Sequence, residues 1–298
     1  MDAEKSGRAT GLALALIGAI AFSGKAIIVK LAYRYGVDAV TLIMYRMLFA
    51  LPIFAAMAWW ASRGKPPLSR RDWLGVSGLG VLGYYLSSFL DFAGLQYISA
   101  SLERLILYLN PTLVMLLGWA LYRKPFRRLQ VAGMAISYCG VLLVFGLEIG
   151  HEGPQAALGA MLVFASAVTY AVYLVYSGQM VQRLGSLRLV GLATTVACLC
   201  CLLQFVLLRP IGSALEVAPQ VIWLSVLNAT LCTAVPVLMV MMAIERIGPA
   251  ASAQAGMVGP MSTILMGVLL LGEPFTAWIA AGTALVIAGI FVFSRAGR

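Results

Sequence analysis

The 298-residue chain is 62% hydrophobic and only 11% charged, whereas soluble domains carry about 25% charged residues. With so few charges, much of the surface must be apolar, which excludes most soluble folds and predicts an integral membrane protein. The 21 Lys and Arg residues outnumber the 11 Asp and Glu residues. Most of the basic residues fall in short loops, where they indicate membrane topology, so no nucleic-acid partner is expected.

Apolar stretches bounded by charged residues, Gly and Pro predict ten spans. In chain order they cover residues 10–33, 40–60, 73–94, 99–121, 128–147, 156–178, 188–208, 220–243, 250–271 and 276–294. These lengths predict helices, because a membrane helix needs ~20 residues and a barrel strand only ~10. The first stretch follows Lys5 and Arg8, as in a signal peptide, but it exceeds the ~15 residues of such a segment and is interpreted as a retained helix. The predicted fold class is an all-α membrane protein with ten transmembrane helices.

The distribution of basic residues predicts that both termini are cytoplasmic. Fifteen Lys and Arg residues lie on the side of the N-terminus, and only Arg34 and Arg209 lie clearly on the other side. An even number of spans agrees with this topology.

The five cysteines, which are Cys139, Cys198, Cys200, Cys201 and Cys232, all lie inside apolar stretches. They have no metal-ligand spacing with the single histidine, His151, so reduced and packed thiols are expected. Neither a metal nor another cofactor is predicted.

The chain contains an internal repeat. Pro111, Gly118, Pro125-Phe126, Gly133 and Gly140 recur 149 residues later as Pro260, Gly267, Pro274-Phe275, Gly282 and Gly289. Five helices per copy is an odd number, so the second copy must be inverted in the membrane. The predicted repeats are residues 1–147 and 156–298, and paired inverted repeats place a substrate site near the membrane midplane, where the halves meet.

These features resemble the drug/metabolite transporter superfamily, and specifically its ten-helix EamA-type branch. The residues that carry the resemblance are Lys30, Tyr45-Arg46, residues 93–101, Asn110-Pro111, residues 250–260, residues 271–275 and Gly282. The resemblance implies a multi-pass protein of the bacterial inner (plasma) membrane that exports amino acids and related metabolites, with aromatic amino acids among the substrates of its members. The first repeat departs from the pattern, because Arg123-Lys124 replaces the Gly-Glu pair that the second repeat keeps at Gly272-Glu273. This departure argues against a catalytic role for Glu273.

Polar and aromatic residues at helical spacing mark one face on each of four predicted helices. The four stripes are Tyr84, Ser88 and Asp91; Tyr108, Pro111, Thr112 and Met115; Ser166, Tyr170, Tyr173 and Ser177; and Gln254, Met257, Val258 and Met261. Such groups need partners in a bilayer, so these faces should line a wet cavity or form interhelical hydrogen bonds. The residues expected to line a substrate cavity are Lys25, Tyr84, Ser88, Tyr108, Thr112, Tyr170, Tyr173, Gln254 and Met257.

Ionisable residues inside the membrane are functional candidates, because they are costly there. Five of them are expected near the outer interface, as an outer gate or as a salt-bridge network that holds helix ends together: Lys30, Arg46, Asp91, Glu103 and Arg104. Lys25 should lie deeper, with no obvious acid at its depth.

The expected function is a secondary transporter that exports small organic metabolites by alternating access between the repeats. An amphipathic cavity with one mid-depth cation suits amino acids with aromatic or large neutral side chains. The alternatives are an exchanger of sugar phosphates or nucleotide sugars, which would require a second mid-depth cation, and broad-specificity drug efflux, at which adaptable Met residues hint. No enzyme is expected, because paired mid-depth carboxylates and a P-loop are missing from the sequence. The expected partners are a small-molecule substrate and the lipid bilayer, with monomer and homo-oligomer both open.

Overall fold

The computed structural model describes residues 2–123, 128–148, 153–240, 242–243, 246–247 and 258–295, and these residues form helices and turns without a strand. The helices of the first half are α1 (Asp2–Tyr33), α2 (Ala39–Ser62), α3 (Arg70–Leu79), α4 (Ser87–Leu95), α5 (Ala100–Leu107), α6 (Asn110–Tyr122) and α7 (Arg128–Glu148). Those of the second half are α8 (Ala156–Leu184), α9 (Ser186–Leu208), α10 (Pro219–Ala229), α11 (Val258–Met266) and α12 (Ala277–Arg295). A short 3₁₀ helix, Ile211–Leu215, connects α9 to α10.

Seven helical stretches within the described residues are long and apolar enough to cross a membrane. Three further apolar helices are shorter, at Val131–Val144, Met261–Leu271 and Ala277–Gly289. The all-helical class is confirmed with seven candidate spans, whereas the count of ten spans and the orientation of the termini stay predictions.

Side chains just before three helices satisfy the free backbone N–H groups of the first turn. The carboxylate of Asp38 accepts hydrogen bonds from two N–H groups of α2. Ser69 and Asp72 form a reciprocal capping box at α3. Ser99 Oγ accepts from the third N–H of α5 at 3.2 Å, so each of these helices begins where the sequence supplies an oxygen acceptor.

Polar contacts at the helix ends define two ends of the bundle. Asp38 and Arg209 meet at 3.2 Å at one end, which we call the Asp38 face. Arg183 pairs with Asp72 at 2.8 Å at the other end, which we call the Arg183 face. At that same end the Arg188 guanidinium donates to Ser62 Oγ at 3.1 Å, so α2 and α9 run antiparallel. The topology prediction makes the Arg183 face cytoplasmic.

Three of the predicted spans are interrupted. A π-helical turn, Gly80–Leu86, joins α3 to α4, and a second, Thr230–Ala234, follows α10 about 149 residues later. The predicted span 99–121 is two helices, α5 and α6, because Pro111 has no N–H to donate to the preceding turn and α6 begins beside it. Both types of interruption free backbone groups and redirect side chains, and π-helical turns are frequent at functional sites.

The repeat glycines form a close crossing of α7 and α12. A Cβ atom added to Gly140 would lie 2.7 Å from the carbonyl oxygen of Gly282, and one added to Gly289 would lie 2.5 Å from that of Gly133. The 149-residue offset relates Gly133 to Gly282 and Gly140 to Gly289. It therefore exchanges the two contacts, as a two-fold axis between inverted repeats requires. Small residues let the two backbones approach closely without lipid between them.

Two large clusters of buried apolar residues form the core. The first draws residues from α1, α2, α4, α9 and α10 and from the first residue of α5, and the second draws them from α5, α6, α7, α8, α11 and α12. Each cluster therefore combines helices from both sequence halves, and the space between the clusters is bounded by both.

Candidate functional site

A cavity of about 290 Å³ lies between the two core clusters. Its wall combines charged, aromatic and small polar side chains. These are Lys25, Arg46, Asp91 and Arg104; Phe22, Phe54, Tyr84, Tyr108 and Tyr170; and Ser87, Ser88, Asn110, Ser166, Thr194 and Thr233. A largely apolar wall with a few convergent polar groups is typical of a small-molecule site.

Four charged side chains from three helices form a buried cluster at one end of this cavity. Lys25 Nζ from α1 lies 2.5 Å from Asp91 Oδ2 on α4 and 3.9 Å from Glu103 Oε1 on α5. Arg104 Nε lies 3.7 Å from Glu103 Oε2. We call these four residues the ionic cluster.

The expectation that Lys25 has no acid at its depth is wrong. Lys25 lies eight residues before the end of α1, and Asp91 lies four residues before the end of α4, which places their Cα atoms several ångströms apart in depth at ~1.5 Å per residue. The long, flexible stem of the lysine closes that difference, because its ammonium group extends along the helix toward the carboxylate.

Arg46 occupies the cavity wall beside the ionic cluster. Its Nε and Nη2 atoms donate to Thr233 Oγ1 at 3.3 and 3.2 Å, and the guanidinium carbon lies 5.2 Å from the centre of the Phe92 ring. Thr233 belongs to the second π-helical turn and stands 149 residues after Tyr84 in the first. The two π-helical turns thus bring repeat-related side chains to the same cavity.

The five residues expected near the outer interface do not form one group. Arg46, Asp91 and Arg104 line the cavity, and Glu103 is fully buried behind it. Lys30 lies apart at the Asp38 face, where its ammonium donates to the carbonyl groups of Leu95 and Ile98 at 3.3 and 3.0 Å. The arginine side chains are long enough to reach inward from the end of the helix, which a depth count along the backbone does not include.

Glu273 links the two repeats at the Asp38 face. Its Oε1 accepts from the Ala100 N–H at 2.7 Å, and its Oε2 accepts from the N–H and Oγ of Ser101 at 3.1 and 2.6 Å. The Arg34 guanidinium from α1 donates to the carbonyl of Leu271 at 2.7 Å nearby. We call the Glu273 contacts the repeat latch, because they join the turn before α12, in the second repeat, to the start of α5 in the first.

The tyrosines of α8 and the first π-helical turn are held by one another. Tyr84 and Tyr173 share a hydrogen bond of 3.1 Å between their hydroxyls, and their ring centres lie 5.0 Å apart, edge to face. Tyr170 stacks on Tyr173 at 5.5 Å. Tyr84 and Tyr170 therefore present aromatic surface to the cavity, and Tyr173, which orients them, lines the second cavity described next.

A second cavity of about 440 Å³ continues the first toward the Arg183 face. Both are lined by Phe22, Tyr84, Arg104, Tyr170 and Val237. Its other lining residues include Gly18, Ser177 and Val240, which lie farther along their helices toward the Arg183 face. The described residues thus form a path that leads toward that face, with the ionic cluster and the repeat latch toward the Asp38 face.

The sequence model of the EamA-like transporter family matches this chain twice, over residues 9–146 and 157–295. The chain belongs to the EamA-like transporter family. The two matches together take in almost the whole chain and agree with a two-repeat fold of apolar helices, so this EamA-like protein is a multi-pass membrane protein of a transporter family.

Named relatives support the same class. The chain is 30% identical to the uncharacterized transporter YcbK of Bacillus subtilis over 89% of this chain and 86% of YcbK. It is 24% identical to an uncharacterized transporter of Archaeoglobus fulgidus over 95% and 96% of the two chains. A protein of known crystal structure shares the fold with a TM-score of 0.62 at 20% identity, over 98% of this chain and 99% of the other. These relatives indicate transport and name no substrate.

Of the nine residues expected to line the substrate cavity of this EamA-like transporter, five lie in the wall of the first cavity: Lys25, Tyr84, Ser88, Tyr108 and Tyr170. Tyr173 lines the second cavity, Thr112 is buried and lines neither cavity, and Gln254 and Met257 lie outside the described residues. Val258 and Met261, which share the predicted stripe with Gln254 and Met257, are 38% and 48% exposed and line neither cavity.

Sequence reasoning missed several lining residues, among them Phe54, Asn110, Thr194 and Thr233. The repeat offset from Tyr84 was a signal for Thr233. Phe54 and Thr194 lie in uniformly apolar stretches that offer no such signal. Met47 is the one methionine that lines the cavity, so the described wall does not have the Met-rich character that suggested broad tolerance.

Proposed function

We propose that this transporter exports amino acids with aromatic or large neutral side chains, by alternating access through the central cavity. The observation that carries the proposal is the division of the cavity wall. Its charged end holds both signs, with Arg46 and Arg104 beside Asp91, and its remaining wall is rich in aromatic surface, including Tyr84 and Tyr170.

Buried polar atoms without partners support a zwitterionic ligand. Within the part of the chain that the structure describes, Arg46 Nη1, Arg104 Nη2 and Asp91 Oδ1 are all buried at the cavity wall without a hydrogen-bond partner. Buried polar groups are normally paired, because an unpaired one costs about 1–3 kcal/mol. Two guanidinium donors suit the α-carboxylate of an amino acid, and one carboxylate acceptor suits its ammonium group.

The side chain of the ligand would lie on the aromatic wall. Tyr84 and Tyr170 offer ring faces, and Phe54 adds apolar surface from α2. Aromatic pairs gain about 0.5–1.5 kcal/mol beyond the burial of their area. This contribution favours aromatic side chains over small ones.

The proposed direction, export, comes from the resemblance to exporters, and a path that leads toward the predicted cytoplasmic face agrees with loading from the cytoplasm. The cavities lead toward the Arg183 face, which the basic residues place in the cytoplasm. A substrate then enters from the cytoplasm and leaves when the ionic cluster and the repeat latch open.

A second candidate is an exchanger of sugar phosphates, because three cations line the cavity where the sequence suggested one: Lys25, Arg46 and Arg104. Two carboxylates already neutralise part of this charge, since Asp91 pairs with Lys25 and Glu103 flanks Arg104. The cavity wall also presents Asp91, whose carboxylate suits the ammonium group of an amino acid and repels a phosphate dianion.

Counterflow in proteoliposomes tests the choice between these substrates. Vesicles loaded with unlabelled phenylalanine should accumulate labelled phenylalanine, tryptophan and leucine well above empty vesicles, and alanine much less. Vesicles loaded with a hexose phosphate should not accumulate the labelled phosphate. Phosphate exchange without amino-acid exchange would overturn the proposal in favour of the second candidate.

A further inference from the structure

The environment of Glu103 is unusual for a carboxylate. Its side chain on α5 is 0% exposed, and neither carboxyl oxygen accepts a hydrogen bond from an N–H or hydroxyl group of the described residues. The nearest cationic atoms are 3.9 Å away on Lys25 and 3.7 Å away on Arg104. A buried ionised carboxylate normally needs closer partners, because desolvation costs several kcal/mol per ion.

A second acid next to Glu103 makes its ionised form still less favourable. Asp91 from α4 faces Glu103, and Asp91 has the 2.5 Å contact with Lys25 that stabilises its ionised form. Two carboxyl groups that face one another do not both ionise readily. Of the two acids, Glu103 is therefore the one that is better placed to hold a proton.

The other elements around Glu103 add few charges. Arg46 on α2 lies beyond Asp91, and Glu273 caps the start of α5 through Ala100 and Ser101. Helix α11 carries no charged residue, and Arg183 of α8 lies near the opposite face. The charge state of Glu103 is thus set mainly by Lys25, Asp91 and Arg104.

We propose that Glu103 is a proton-binding site whose protonation is coupled to substrate, so that the transporter moves one proton together with each amino acid. This inference rests on the proposed function for the identity of the substrate. In the coupling step the Glu103 carboxylate takes one proton from water in the path and becomes a neutral carboxylic acid, and the proton returns to water on the opposite side.

The sign of the coupling follows from the shared cations. An ionised Glu103 attracts Arg104 and Lys25, and a substrate carboxylate at the cavity wall competes for Arg104. Protonation of Glu103 releases Arg104 to the substrate, and a bound carboxylate in turn makes protonation of Glu103 easier. The coupling between Glu103 protonation and substrate binding is reciprocal, so each favours the other. Amino-acid efflux therefore carries a proton outward.

Substrate-driven proton movement tests the coupling. Proteoliposomes loaded with phenylalanine and a trapped pH dye are diluted into phenylalanine-free buffer. The lumen should become alkaline as phenylalanine leaves. In the variant Glu103→Gln, the phenylalanine efflux that remains should no longer change the pH of the lumen, whatever its rate. Asp72→Asn is the matched control, because it neutralises another buried acid, at the Arg183 face, and should keep the pH change.

The outcomes separate the two proposals. Efflux without any pH change, a lumen that becomes acidic, or a pH change that survives in Glu103→Gln each overturns the proton site. Absence of amino-acid counterflow in the wild type instead refutes the proposed substrate. In that case infrared spectra of the purified protein still test Glu103, since wild type should show a pH-dependent protonated-carboxyl band that Glu103→Gln lacks, and equal spectra would overturn the inference.

Discussion

A substitution at Glu273 tests directly whether the repeat latch holds the Asp38 face closed. Glu273→Gln keeps the size of the side chain but removes its charge and one acceptor oxygen, while the N–H groups of Ala100 and Ser101 still need acceptors. The wild-type carboxylate receives three hydrogen bonds, and it lies at the N-terminus of α5, where a helix stabilises negative charge.

The expected cost follows from those contacts. A hydrogen bond to a charged group contributes about 1.5–3 kcal/mol, and the variant loses about one such bond. The latched arrangement should therefore weaken by about 1.5–3 kcal/mol, which converts to roughly a 10- to 150-fold larger population with an open Asp38 face, at about 1.4 kcal/mol per tenfold change.

Cysteine labelling measures that population. A membrane-impermeant maleimide applied from the Asp38 face should label a cysteine introduced at Ser88, in the cavity wall, at least tenfold faster in the Glu273→Gln background. The control is Glu216→Gln, which neutralises an exposed acid at the same face and should leave the rate unchanged. Equal labelling rates in all three proteins would refute the latch.

Three further predictions concern the packing of α7 against α12, the orientation of Tyr84, and the dependence of stability on pH. Gly140→Ala should lower the free energy of unfolding in detergent by about 1–3 kcal/mol, because the added Cβ would meet the Gly282 carbonyl. Gly78→Ala is the control, since no atom lies within 4 Å of the added Cβ, and it should leave the stability unchanged. Tyr173→Phe should raise the half-saturation concentration for phenylalanine counterflow several-fold with little loss of maximal rate, since Tyr84 loses its hydroxyl partner. Partial burial raises the pKa of Asp38, but hydrogen bonds from Thr41 and Arg209 outweigh it and hold the pKa below its usual 3.8. The contribution of ionised Asp38 to stability is therefore complete above pH 3.8 and is lost as the pH falls through the lower pKa of the folded state. Asp38→Asn should flatten the acid limb of a profile of melting temperature against pH. An unchanged acid limb would contradict this prediction.

Much of the fold could be predicted from the sequence, because lipid imposes simple constraints. Long apolar runs must be helices, and the Pro and Gly offset of 149 residues predicted the relation that places Gly140 against Gly282 and Gly133 against Gly289. The π-helical turns could not be predicted, since they result from packing between helices rather than from local sequence. The break before Pro111 had a local signal in the missing N–H of the proline.

The site was harder to predict than the fold. Helical spacing identified Tyr84, Ser88 and Tyr170, because polar groups in a bilayer must face protein. Depth along a helix misplaced Arg46 and Arg104, since side-chain reach adds several ångströms that the backbone count omits. The partners of Lys25 and Glu273 come from distant parts of the chain, so only the folded structure reveals them.

The central claim is that the charged end of the cavity binds both charges of an amino acid, and a competition series tests it most directly. Unlabelled phenylalanine, phenethylamine, which lacks the carboxylate, and phenylpropionate, which lacks the ammonium group, are each added against labelled phenylalanine counterflow. Phenylalanine should compete at least tenfold better than either analogue, and Asp91→Asn should remove most of its advantage over phenylpropionate. Equal competition by all three compounds would contradict a zwitterion site and leave only the aromatic wall as the basis of recognition.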